Sequence, residues 1–477
     1  MTLVPNSRLL FWFAVVALPF SVLGALYPVA GPFAVVLIAG WLVLALVDAA
    51  VSYGRLDGIR VQLPEVLRLS KDRAGSIEVT LKNELKRPLR LRLGLALPRE
   101  LASQHEDETV LLPAGAVLSR LDWPVTPLRR GNYRLRRAFL ETASRLGFWV
   151  VRANVPAVCE ARVYPNLLTE RRTLAALFLN RGAFGIHAQR QVGKGRDFEK
   201  LREYIPGDGY DEIHWKATAK RGHPVTKIFQ IERTQEVYVV IDASRLSARM
   251  VTKIGVSSNQ YSVISNQSRP AHLRPGGTLK TEHCLLNTET TLLERFITAA
   301  LILAQAAEKQ GDLFGLLTFT DKADTFLRAK NGKQHYAACR DALYTLEPQS
   351  TAPDFDEISS FIRTRLRRRA LLIFLTSLDD PVLAESFVRN MALLAGQHLV
   401  LVNMIKPPGV DPLFTDGDVQ HIDDVYRHLG GHLRWHNLRE LEKVLQRRGV
   451  SFKLLENEKL AADLVAQYLG VKQRQLL

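Results

Sequence analysis

The chain has 477 residues, with 64 Lys plus Arg against 48 Asp plus Glu, and a formal net charge of +16. At about 150 residues per domain, that length corresponds to roughly three folding units. Hydrophobic residues make up 47% and charged residues 23%, a globular balance that excludes a disordered, collagen-like or disulfide-scaffold chain. Cys159, Cys284 and Cys339 form no CxxC pair and read as free thiols of a reducing compartment, one disulfide with a spare thiol being the alternative. The basic excess fits acidic lipid, an acidic protein partner or nucleic acid.

Leu9 to Val47 carries no charged residue, and Tyr27-Pro28 and Gly31-Pro32 split the stretch. Each half is near the lower length limit for crossing a bilayer core, and helices end before prolines. The pattern predicts a transmembrane helical hairpin within residues 1–55, with helices at about 9–26 and 33–50. Arg8 precedes the first helix, Arg55 and Arg60 follow the second, and the connecting loop has no Lys or Arg. The positive-inside rule then places both termini and the soluble mass in the cytoplasm, at the inner membrane. A cleaved signal peptide is the alternative, disfavoured by the second apolar run.

Residues 60–165 alternate apolar and polar side chains, as in Ser76–Asn83 and Leu89–Leu97, with further strands at Val117–Trp123, Tyr133–Glu141 and Phe148–Arg152. Period-two alternation with Pro and Gly punctuation predicts an antiparallel β-sandwich. Residues 166–235 read as a charged linker. From 236 to 477, apolar runs such as Val237–Ile241, Leu313–Thr320, Ala370–Thr376, His398–Ile405 and Val450–Leu455 alternate with helical segments. The helix after Thr291 opens on a capping box and ends at Gly311. Others are predicted at Phe355–Arg369, from Asp380-Pro381, at Asn437–Arg448 and at Asn457–Leu469. This β/α alternation predicts a mostly parallel, doubly wound sheet with helices on both faces. Residues 251–288, rich in Ser, Asn and Gln, read as an insertion.

GxxxxGK[ST], HExxH, GxSxG and the Rossmann glycine pattern are absent, and scattered His residues offer no metal cluster. Two features remain. Gly195–Asp208, continuing through Ile213–Gly222 to Glu232, sits in a stretch (Ile186–Arg233) with ten Lys or Arg and seven Asp or Glu. So mixed a set argues against a nucleic-acid groove. It predicts a salt-bridged docking segment or a partner surface carrying Arg202, Glu203, Tyr204, Pro206, Gly207, Asp208, His214, Trp215 and Lys216. The second feature is Asp242, ending a buried strand, with Ser244 and Ser247 just after it, where open α/β sheets bind ligands. Hard oxygen donors there suit Mg²⁺; a strand-to-loop cap, with Asp242 bonded to backbone amides, is the other reading.

The block Arg196–Glu232 followed by the Asp242 strand resembles the domain-of-unknown-function 58 family. Arg130-Gly-Asn-Tyr-Arg-Leu135, Leu146-Gly-Phe-Trp149 and Tyr164-Pro-Asn-Leu167 fit the sandwich that precedes its core. The resemblance implies a membrane protein whose C-terminal part is similar to a von Willebrand factor A domain. It also implies no enzymatic activity and a MoxR-type AAA+ ATPase as partner, in protein-complex maturation or envelope stress. It implies further a metal-ion-dependent adhesion site, with Asp242 and Ser244 as ligands, Ser247 one residue late behind Leu246, Ser350 or Thr351 supplying a loop hydroxyl, and Asp379 an acid. Ser377 stands where the family pattern has an acid. Thr415-Asp-Gly417, in a later Pro- and Gly-rich loop, is read as a decoy. Arg245 and Arg249 flank the site, and a guanidinium would compete with a cation for Asp242.

The leading expectation is a membrane-anchored scaffold or adaptor without a cofactor, Mg²⁺ at that site being the alternative, since a metal needs more negative ligands than these residues offer. The alternatives are a metal-dependent hydrolase using Asp242, Asp379 and His214, or a binder of anionic lipid or nucleic acid through Arg363, Arg365, Arg367, Arg368 and Arg369. That last run also fits a solvated helix end.

Overall fold

The computed structural model describes residues 1–27, 29–84, 87–168, 170–171, 192–206, 209–230, 235–251, 290–413, 415 and 421–474. Residues 252–289, which hold nearly all of the expected insertion and Cys284, lie outside that set, as do Gly207, Asp208 and residues 416–417 of the decoy triplet. The chain divides into two compact units, Met1–Asn166 and Leu167–Leu477.

The first unit opens on a strand the sequence pattern missed. Thr2–Pro5 (β1) pairs antiparallel with Trp149–Arg152. Asn6 caps the next helix, its side chain accepting from the Ser7 amide. Helical chain runs from Ser7 to Leu26, with a π turn at Phe13–Ala17, and a second helix spans Gly31–Ser52. That helix is long and apolar enough to cross a membrane, with a mean hydropathy of 2.5 over its best 18-residue window. Phe33, Val35, Val36, Val43 and Leu46 along it are exposed.

Behind it, two sheets enclose one core. One has the order β1, Trp149–Tyr164, Gly131–Ala143, Leu89–Leu95, Asp107–Leu112. The other has the order Ile59–Gln62, Gly75–Asn83, Leu118–Pro127, Leu101–Ala102. Ile77, Val79, Leu81, Leu91, Leu93, Trp123, Leu135 and Leu140 are buried between them, because side chains alternate faces along a strand. Among the described residues of this unit, antiparallel pairing has one exception: Val66–Ser70 runs parallel to Glu160–Tyr164. The long strand Trp149–Tyr164 carries a bulge between Pro156 and Cys159 in its pairing with Gly131–Ala143.

The first strands of the second unit, among described residues, form a two-stranded antiparallel sheet, Val192–Glu203 with Val225–Gln230. A seven-residue helix, Trp215–Arg221, lies between them in the chain. The expected linker is thus a folded hairpin-like element in its described part. The main sheet has the order Ala323–Lys330, Leu313–Phe319, Glu236–Asp242, Leu371–Leu375, Leu399–Ile405, Ser451–Leu455. All neighbours run parallel except the first pair. Val237, Val239 and Ile241 pack against helices Leu292–Lys309 and Leu460–Gln473. Tyr238 and Val240 pack on the other face with helices Phe355–Arg365, Pro381–Ala395 and Ile422–Arg447.

Two expected helix boundaries move, and two elements are new. The helix expected to run to Arg369 stops at Arg365 with Leu366 as its cap, so Arg367, Arg368 and Arg369 lie beyond it. The helix expected from Asn437 starts at Ile422. Ala323–Lys330 and the helix Lys333–Leu343 were not expected. Cys159 and Cys339 are buried free thiols, and burial pushes the Cys339 thiol up to about 12.

Candidate functional site

Asp242 ends a seven-residue strand whose last six residues are buried. The sheet order makes this strand's carboxyl end special. The chain leaves Glu236–Asp242 toward Leu313–Phe319 on one side and later returns to Leu371–Leu375 on the other. The strand order switches at this strand, and in open α/β sheets ligands are received at such a switch.

The residues after both strands close on one another. One Asp242 carboxylate oxygen accepts from the Ser244 amide at 2.8 Å, and the other accepts from the Thr376 hydroxyl at 2.6 Å. Ser244 Oγ accepts from the Leu246 amide at 3.3 Å and so caps the short 3₁₀ turn Arg245–Ala248. Ser247 Oγ donates to the Ser244 carbonyl at 2.8 Å. The loop before Phe355 lies alongside: the Gln349 amide donates to the Ala243 carbonyl at 2.8 Å, and the Arg245 amide donates to the Thr351 carbonyl at 3.0 Å. Thr351 Oγ1 is buried with no hydrogen-bond partner. Asp242, Ser244 and Thr376 are fully buried, and Arg245 is exposed. Burial pushes the Asp242 carboxyl up, while the hydrogen bonds from Ser244 and Thr376 pull the other way.

Asp242, Ser244 and Ser247 thus form one linked group, and Thr351 joins through its backbone. Asp379 does not join it; its carboxylate pairs with Arg249. Of the two arginines expected to flank and compete for Asp242, Arg249 holds Asp379 instead. Asp380 caps the following helix by accepting from the Val382 amide. Thr376 is the member that sequence reasoning missed. Its signal was only a hydroxyl directly after a buried strand, one residue before the position inspected for an acid.

As it stands, the donor set does not fit a divalent cation. It offers one carboxylate, both of whose oxygens accept hydrogen bonds, and Leu246 fills the third ligand position. Hard cations of this kind take six or more oxygen ligands, carboxylates prominent among them. Among the described residues, no group of three or more His, Cys, Asp or Glu side chains could hold a metal ion.

The second set of residues lies around the two-stranded sheet. Arg202 and Glu203 end its first strand, and the Tyr204 amide donates to the Pro224 carbonyl at 3.0 Å. His214 caps the helix Trp215–Arg221, its Nδ1 accepting from the Ala217 amide at 3.0 Å. His223 lies 3.7 Å from Glu203. Pro206, Trp215 and Lys216 are exposed, as are Ile205 and Tyr210. Arg367, Arg368 and Arg369 follow the helix Phe355–Arg365, and Arg368 approaches Glu236 at 4.0 Å, the opposite end of the strand from Asp242.

Residues 200–254 and 287–425 match the family described as protein of unknown function DUF58. Those two stretches are a DUF58 region, the family that the Arg196–Glu232 block resembles. Among solved structures, BatB from Bacteroides thetaiotaomicron is 13% identical, with 50% of this chain and 99% of that one covered, at a TM-score of 0.29. An aerotolerance-related membrane protein from Bacteroides fragilis is 12% identical, with 49% and 97% covered, at 0.27. At these TM-scores the likeness carries nothing further about this chain. None of the curated proteins matches it.

Proposed function

We propose that the chain is a membrane-anchored, non-enzymatic adaptor whose von Willebrand A-like α/β domain docks a protein partner at the carboxyl edge of its sheet. The observation that carries this reading is the closure of Asp242 by Ser244 and Thr376 beside the exposed Arg245. The buried hydroxyls and carboxylate hold the 242–249 loop in one shape, and Arg245 stands at its rim. Where an adhesion-type site uses a metal to receive a partner's carboxylate, a guanidinium can accept the same group directly. A MoxR-type AAA+ ATPase is the partner class that the family resemblance implies. Trp215, Tyr210 and Ile205 offer a second, aromatic contact area, of a composition enriched in protein interfaces.

The anchor in this reading is a hairpin in the inner membrane, with both termini and the soluble units in the cytoplasm. Leu18–Leu26 packs against Gly31–Ser52 and Phe13 lies against Trp41, and the start of the first helix and the end of the second bond the same sandwich loop through Asn6 and Asp48. A hydrolase built on Asp242, Asp379 and His214 finds less support, since Asp379 is ion-paired and the His214 ring caps a helix.

The test is affinity capture from detergent-solubilised membranes with the full chain, wild type against Arg245→Glu, followed by mass spectrometry. The expected result is an AAA+ ATPase bound by the wild type and reduced severalfold by the charge reversal. No ATPase, or equal recovery by both, contradicts the reading.

A further inference from the structure

Three arginines stand around the loop where the apolar helices meet the sandwich. The loop Ser144–Phe148 is held from two sides. Asn6, at the start of the first helix, donates from Nδ2 to the Gly147 carbonyl at 2.9 Å. Asp48, near the end of the Gly31–Ser52 helix, accepts from Ser144 Oγ at 2.6 Å and from the Leu146 amide at 3.0 Å. Ser52 Oγ accepts from the Arg145 amide at 3.2 Å, and Trp149 Nε1 donates to the Ala45 carbonyl at 2.9 Å.

Arg8 lies across Gly147: a Cβ built there would stand 3.1 Å from the Arg8 guanidinium, at a residue whose φ is +82°. Arg55 donates to the Ala143 carbonyl at 2.8 Å. Burial lowers the Arg55 guanidinium, the charge of Arg145 adds to this, and Asp48 opposes it. Among the described residues none of the three guanidinium groups forms an ion pair. The acids nearby are Asp48, which is buried and taken by the loop, and Asp57, which lies against Gly54. Arg8 and Arg145 are exposed, and so are Leu146 and Tyr53.

Three guanidinium groups without carboxylate partners, beside exposed apolar residues and at the end of a bilayer-length helix, match an interfacial anion. Guanidinium forks fit phosphate oxygens. Basic residues at this depth meet anionic headgroups. We propose that Arg8, Arg55 and Arg145 bind the phosphate of an anionic phospholipid headgroup, with Leu146 and Tyr53 set toward the acyl boundary. A zwitterionic headgroup brings its own cation to the same place and binds less well. The inference rests on the membrane reading above and adds a ligand to it.

The test uses the full chain in neutral detergent, with tryptophan fluorescence quenched by brominated phosphatidylglycerol or brominated phosphatidylcholine. The wild type is expected to bind phosphatidylglycerol saturably and in preference. Substituting all three by Gln removes that preference, at about fivefold per guanidinium lost; substituting all three by Lys keeps most of it. Equal quenching of the wild type by both lipids overturns the headgroup site and leaves the membrane reading standing. Absence of quenching by either overturns both. A Gln variant with native melting behaviour and an unchanged preference also overturns the site. Inorganic phosphate that displaces the lipid better than chloride of equal ionic strength assigns the site to free phosphate, and the lipid assignment falls. The two wild-type titrations decide the matter even where the Gln variant fails to fold.

Discussion

Asp242 is an acid that the fold has taken out of water and surrounded with hydrogen-bond donors. Its carboxyl is raised by burial above the ordinary 3.8. A group raised on folding contributes stability below its unfolded value and loses it as pH climbs through its folded value. Ionised Asp242 is therefore a cost at neutral pH. Asn has the same shape, can still accept from Ser244, and carries no charge. Asp242→Asn is expected to melt higher than the wild type at pH 7 to 8, by about 2–4 °C for each kcal/mol released, with the difference shrinking toward pH 4. Melting curves across that range check it; a variant less stable at every pH would contradict the account. Thr376 shows why this residue group was only half legible. Asp242 and Ser244 are two positions apart, so their contact is written in the sequence. Thr376 meets Asp242 across 134 positions, and only strand order brings them together.

At the scale of elements, buried pieces were readable and exposed ones were not. Val237–Ile241 and Leu371–Leu375 are continuous apolar runs because helices cover both faces of their strands. Thr291 accepts from the Glu294 amide, and Asp380 from that of Val382, as their cap patterns required. Ala323–Lys330 is an edge strand with no fully buried residue, its alternation broken at Thr325–Leu327. The helix from Ile422 has only Gly431, Leu438 and Leu445 buried in 26 residues. Neither gives the core-facing period that pattern reading needs. The strand Thr2–Pro5 was hidden because four residues next to an apolar helix carry no period. The two loops of the candidate site bear on the metal question as elements. Each uses its polar groups to hold its own shape, the first through Ser244 and Ser247 and the second through Asp380. Millimolar Mg²⁺ is accordingly expected to leave the melting temperature of the full chain unchanged. A rise that Asp242→Ala abolishes would show a native-state metal site and contradict this.

At the scale of the whole molecule, composition and charge pattern were enough to separate an apolar N-terminus, a β-rich region and an α/β region. The Arg196–Glu232 block was enough to reach the family. What they could not supply was the joint between helix and sandwich. Asp48 reads as an ordinary charge after an apolar run, yet it is buried and bonded to Ser144 and Leu146. The same joint gathers Arg8, Arg55 and Arg145, which lie 47 and 90 residues apart in the chain. The joint of helix and sandwich is assigned to lipid, and the carboxyl edge of the α/β sheet to a protein. The second assignment is the central claim, and site-specific photocrosslinking in the intact membrane tests it most directly. A crosslinking side chain would replace Ala248, exposed on the same loop as Arg245, or, separately, Arg368, which stands by Glu236 at the strand's other end. An AAA+ ATPase adduct is expected from position 248 and none from 368. Adducts of equal yield at both positions, or none at 248, would contradict the docking of a partner at that edge.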